Sequence, residues 1–128
     1  MVPVAVELPV AHEGRAAIDE WLDTQARLAT GDGARRGCLI VNTIMERDAH
    51  SQETQRLAED RLGEMRGFFA ANLKTALQRE EVGADLDLVA AADQLTGAVI
   101  AIMASARGGL DDAAIHNIAE GAKAALGR

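Results

Sequence analysis

Residues 37–50 read GCLIVNTIMERDAH, and the fold turns on how they are taken. They form an apolar run with Asn42 and Thr43 set into its middle and a charged tail behind. Cys38, Val41, Asn42 and Met45 recur at helical spacing, so residues 37–47 read as a short, largely buried helix and 47–50 as a turn. Asn42 therefore points where apolar side chains point. A buried amide needs partners, and leaving it unmet costs about 1–3 kcal/mol. Backbone groups, water or a ligand could supply them, and spacing does not choose among the three.

The same period continues on both sides of this segment. Upstream, from about residue 12 to 30, Ile18, Trp21, Leu22, Gln25, Leu28 and Ala29 fall on one helical face, ended by Gly31-Asp32-Gly33. Residues 1–11 hold both prolines, Pro3 and Pro9, and read as an extended lead-in. Downstream, Ser51 is placed to cap a long helix running to about Arg79. Leu57, Arg61, Met65, Phe68, Phe69, Leu73, Ala76 and Leu77 form its inner stripe, and Gly83 and Asp85 punctuate the connection behind it. A further helix spans about 87 to 107, with Leu88, Ala92, Leu95, Val99, Ile102, Met103 and Ala106 along one side. Gly108-Gly109 stops it. Asp111 caps a last helix with Ile115, Ile118, Ala119, Ala122 and Leu126 inward. The expectation is an all-α fold of about five helices with short connections, in one domain over 12–128.

Composition agrees. A chain of 128 residues holds one domain, and at 48% apolar it builds a core without staples. Alanine, leucine, valine and isoleucine supply that apolarity, since aromatics are only 2%; this favours closely packed helices. The net charge of −7 offers no basic face for phosphates, so no nucleic acid is expected to bind this chain alone. One cysteine excludes an internal disulfide and fits a reducing, cytoplasmic setting. No uninterrupted apolar stretch approaches about 18 residues, so no membrane span is expected, and the N-terminus lacks the basic and apolar regions of a signal peptide.

The last two helices are rich in Ala and Gly on several faces, and residues 95–106 carry no charge. A surface helix normally buries one stripe only. This hairpin is therefore expected to pack on its own domain and on a second copy, in a twofold homodimer with Leu95, Val99, Ile102, Ile115, Ile118 and Ala122 at the interface.

Catalytic patterns are sparse. His12, His50 and His116 are far apart and lack metal-ligand spacing, so no metal and no cofactor is expected. Cys38 has no neighbouring His or Lys and reads as a buried, inert thiol. The adjacent acid pairs Asp19/Glu20, Glu80/Glu81 and Asp111/Asp112 do not face each other on a helix. Gly31-Asp32-Gly33 matches no phosphate loop. No enzyme and no catalytic residue is read. Met45, Met65, Met103, Phe68, Phe69 and Trp21 could line an adaptable cavity or make a plain core, and periodicity does not separate the two.

Residues 37–46, GCLIVNTIME, resemble a segment of TetR-family transcriptional regulators that often reads GCL-hydrophobic-VNT followed by an acidic residue. The order beyond it is similar too: a turn, a long helix with paired aromatics (Phe68-Phe69), a Gly/Asp break, an Ala-rich helix ending in Ala106-Arg107-Gly108-Gly109, then DDAAI. The likeness covers about residues 12–126, the regulatory half of such a protein. It implies a ligand-binding and dimerisation domain, with the first three helices around an effector cavity and the last two pairing with their mates in a four-helix bundle. In such a regulator the ligand shifts the spacing of two DNA-binding heads, which requires it to bind one arrangement better. By this resemblance Trp21, Leu22, Cys38, Asn42, Met45, Met65, Phe69 and Met103 are the expected pocket residues, with Asn42 the foremost polar contact for a small, hydrophobic effector. A helix-turn-helix head of the family's kind is not expected within these 128 residues, since nothing before residue 12 resembles one. The alternative reading is a stand-alone, headless helical dimer acting as a protein-interaction module.

Overall fold

The computed structural model describes residues 12–31 and 39–128. The lead-in over 1–11, Cys38, and Asp32 and Gly33 of the expected turn lie outside them. Among the described residues the chain forms five α-helices and no strand: α1 (Arg15–Leu28), α2 (Leu39–Met45), α3 (Gln52–Gln78), α4 (Leu88–Gly108) and α5 (Asp112–Ala124), with a 3-10 turn at Arg47–Ala49 before α3.

The helix ends follow their sequence signals. Ser51 Oγ accepts the Thr54 amide at 3.2 Å, Asp87 Oδ1 accepts those of Val89 and Ala90 at 3.1 Å, and Asp111 Oδ1 accepts that of Ala114 at 2.8 Å. Each satisfies donors that a first helical turn leaves open. α4 closes with Gly109 in the left-handed region (φ 90°), the Gly109 amide donating to Ala106 O and the Leu110 amide to Ser105 O. That double bond pattern needs a residue at positive φ, which glycine adopts without strain. α3 closes the same way without glycine. Glu80 takes φ 58°, and the Glu80 and Glu81 amides donate to Leu77 O and Ala76 O.

α4 is the central helix, packed against α1, α2, α3 and α5. One core cluster joins Ile18, Trp21 and Leu22 of α1 to Met65, Phe69, Leu73 and Ala76 of α3, to Ala91, Ala92, Leu95 and Val99 of α4, and to Val82 and Leu126. A second joins Ala26 and Ala29 to Ile102, Met103 and Ala106 of α4 and Ile115 and Ala119 of α5. Each fully buried large side chain contributes about 1.5–3 kcal/mol.

Three expectations are corrected. α4 is long and apolar enough to cross a membrane by composition alone, with a mean hydropathy of 1.6 over its best window. Its isolated charges interrupt any run of apolar letters without lowering that average. Here the apolarity serves a helix with neighbours on several sides. Leu57, expected on the inner stripe of α3, is 56% exposed. The 27-residue α3 outruns the 21-residue α4 beside it, and the neighbours of Leu57 at a surface dent are Glu53, Arg56 and Asp60 of its own helix. Leu28, expected on the inner face of α1, is likewise exposed in the last turn of that helix.

Candidate functional site

The pocket residues expected from the sequence divide into three groups. Trp21, Leu22, Met65 and Phe69 come together in the larger core cluster. The Trp21 ring meets Phe68 edge-on at 6.0 Å between centroids, and Phe68 meets Phe69 in the same way at 5.6 Å. Such edge contacts add to the burial of the rings. Met103 sits in the second cluster, against the C-terminal half of α1.

Asn42 and Met45 stand apart from both clusters. With Glu46 of the following turn and Ala104, Arg107 and Gly108 of α4, they line an open groove of about 350 Å³. Asn42 is half-buried, and Met45 is 67% exposed. The placement of Met45 in an interior cavity is thus corrected: it is the last residue of α2, at a groove wall rather than inside. Thr43, between them, is the buried polar residue of α2. Glu46 and Arg107 approach to 3.9 Å across the groove. Both are half exposed, so the pair adds little to stability.

Sequence reading passed over Gln25 as a site residue. It lies on the buried face of α1, one turn beyond Trp21, and is 3% exposed. Among the described residues, neither Trp21 Nε1 nor Gln25 Nε2 has a hydrogen-bond partner. The available signal was a lone amide at i+4 from the single tryptophan, on an otherwise apolar stripe.

Reading by period also missed Arg15, at the opposite end of α1 from the groove. Its Nη1 donates to Glu81 O (3.1 Å) and Gly127 O (2.8 Å), its Nη2 to Lys123 O (2.9 Å), and its Nε to Asp19 Oδ1 (3.0 Å). One guanidinium thus ties α1 to the carbonyls ending α5 and to the α3–α4 connection, as its fixed fork of donors allows. Beside it, the Gly14 amide donates to Asn72 Oδ1 (2.9 Å) and the Arg15 amide to Glu81 Oε1 (3.1 Å). The Glu81 carboxylate at the α1 N-terminus also complements the helix dipole. Gly14 has φ +67°, and a Cβ there would lie 2.6 Å from Glu81 Oε1. Lys123 Nζ bridges Asp23 of α1 at 2.7 Å and Glu120 at 2.6 Å. Burial lowers the Lys123 pKa, but the hydrogen bonds and charges of Asp23 and Glu120 outweigh it and raise the value above 10.5.

The residues expected at a dimer interface also divide. Leu95, Val99, Ile102 and Ile115 are at most 2% exposed within the single chain. Their side chains have no surface left for a partner, because α1 and α3 already cover the inner side of the α4–α5 hairpin. Ile118 and Ala122 are half-buried. The outer side carries small residues, among them Gly97 and Gly121, where an added Cβ would meet nothing within 4 Å.

His12 reaches Glu20 at 3.1 Å and His50 lies 4.0 Å from Glu46. Among the described residues, no three His, Cys, Asp or Glu side chains stand together as metal ligands.

No curated protein and no solved structure matches the chain. The family model for the tetracyclin repressor-like C-terminal domain matches residues 14–122, from the first residues before α1 almost to the end of α5. With that match over most of its length, and with the five-helix fold beneath it, the chain belongs to the family of tetracyclin repressor-like C-terminal domains.

Proposed function

We propose that this chain is the effector-binding and dimerisation domain of a TetR-like transcriptional regulator, sensing a small, largely hydrophobic molecule in the cytoplasm. Family membership over residues 14–122 carries the reading. The chain would work as a homodimer and not as an enzyme. DNA contact would fall to a separate helix-turn-helix head, because a net charge of −7 repels phosphates.

The outer side of the α4–α5 hairpin supports the dimer. Gly97 and Gly121 leave open space, so a second copy could bring its backbone close there. Light scattering on the purified chain is expected to give a dimer mass. Gly97→Glu and Gly121→Glu each add a charge to that face without touching the core, and should give folded monomers. Unchanged dimers in both variants would remove the hairpin from the interface.

The effector should raise the melting temperature, since a ligand at about a hundred times its Kd stabilises by about 2.7 kcal/mol.

A further inference from the structure

We infer that Trp21 and Gln25 are the polar recognition pair of the effector site, and that the effector is an uncharged, mostly apolar molecule carrying a carbonyl-type oxygen. The inference rests on the effector-binding reading above and adds the chemistry of the ligand.

Two buried N–H donors without partners carry it. Trp21 is 2% and Gln25 3% exposed, and neither Trp21 Nε1 nor Gln25 Nε2 is hydrogen-bonded among the described residues. Buried polar groups are satisfied in the great majority of cases. At i and i+4 the two share one face of α1, so both donors can serve one ligand. Their position on the helix is also informative. Trp21 and Leu22 belong to the larger core cluster, Ala26 and Ala29 to the second, and Gln25 stands where the two meet. Met65 belongs to the first of these clusters and Met103 to the second, and the flexible, polarisable side chain of methionine adapts to irregular shapes.

The ligand class is set by which atoms are offered. An indole N–H only donates, so the ligand must bring an acceptor. That acceptor should be neutral, because among the described residues the buried polar side chains are those of Gln25 and Thr43, and neither is ionisable. The charges of α1 lie toward its surface: Arg15 pairs with Asp19, Glu20 with His12 and Asp23 with Lys123, and the exposed Arg27 donates to Thr24 Oγ1. A carboxylate beside Trp21 would be desolvated with no buried cation among the described residues to meet it. A ketone, ester or amide oxygen takes both donors without that penalty.

The test uses the whole chain, ¹⁵N-labelled, with 2-nonanone and nonanoate as probes. Trp21 is the single tryptophan, so one indole resonance reports the site. The expected result is that 2-nonanone binds, moves that resonance downfield, and binds more tightly than nonanoate. Trp21→Phe and Gln25→Met should each weaken the ketone about tenfold. Gln25→Met should also raise the melting temperature of the free protein, because it replaces an unsatisfied amide with an apolar side chain of similar shape. A lower melting temperature in Gln25→Met would mean that the amide is satisfied in the free protein, for example by a buried water, and would overturn the inference. Ketone binding with an unmoved indole resonance, or with unchanged affinity in both variants, would place the ligand elsewhere and leave the sensing function standing. Tighter binding of nonanoate would overturn the neutral class. If neither probe moves any resonance at saturating concentration, the inference fails; an effector found by a wider screen would then show that the sensing function survives it.

Discussion

The two ends of the helical bundle are built on different principles. Where α1 and α4 begin and α3 and α5 finish, polar groups are used up: Arg15 holds three carbonyls, Asn72 and Glu81 cap α1, and the Gly83 amide donates to Leu126 O at 2.9 Å. Where α1 and α4 finish, apolar side chains meet solvent instead. Leu28, Met45 and Leu110 are all exposed there, and Asn42 lines an open groove. The contrast separates stability from adaptability. The locked end holds the helices in register, while the groove at the other end stays open to solvent. Regions that must move are drawn from the less stable parts of a fold.

Four measurements put that contrast at risk. The largest effect is expected from Leu73→Ala, which opens a cavity in a fully buried part of α3 near the locked end. It should cost about 2–5 kcal/mol in chemical denaturation, whereas Met45→Ala at the groove should stay within about 0.5 kcal/mol. Equal losses from the two would erase the contrast. Next comes Arg15→Met, which keeps the stem but leaves three carbonyls without their donor. A loss of about 2–3 kcal/mol is expected, with faster amide exchange in the last turn of α5 as the local signature.

A smaller effect of the opposite sign is expected at Glu80. Its φ of 58° is strained for a residue with a Cβ and free for glycine. Glu80→Gly should therefore stabilise by up to about 1 kcal/mol, read from the denaturation midpoint. The smallest effect belongs to Lys123, whose raised pKa makes its tie to α1 dependent on pH. A group with a raised folded pKa adds stability that is fully present below its unfolded value and is lost as pH rises through the folded one. The melting-temperature gap between wild type and Lys123→Met should hold at neutral pH and shrink above about pH 10.5. A gap that is constant into strong alkali would assign Lys123 a packing role alone.

Much of the fold was legible because its signals are local. Ser51 and Asp111 cap the helices they were expected to cap, α4 starts beside Asp87 as its period suggested, and Gly109 ends α4 as a positive-φ glycine. The end of α3 was less legible. Glu80 occupies the turn that glycine usually marks, and the Gly83 chosen by sequence lies three residues further on. The candidate site was legible only in part. Trp21, Leu22, Met65 and Phe69 do converge, but the same period cannot tell an inward face that meets a neighbour from one that runs past it. Met45 and Leu57 are such cases, and Leu95, Val99, Ile102 and Ile115 are the converse, apolar residues expected between two chains and found inside one.

Hydrophobic period, capping chemistry and a segment such as GCLIVNT are readable along one chain, so the helices, their caps and the family were already written in the order of the amino acids. Three things came from the tertiary structure alone: which faces are spent inside the subunit, that Arg15 ties residues more than a hundred positions apart, and that Trp21 Nε1 and Gln25 Nε2 are buried with no hydrogen-bond partner among the described residues. Burial and hydrogen bonding depend on what the other helices bring to the same place, and no period within one helix contains that.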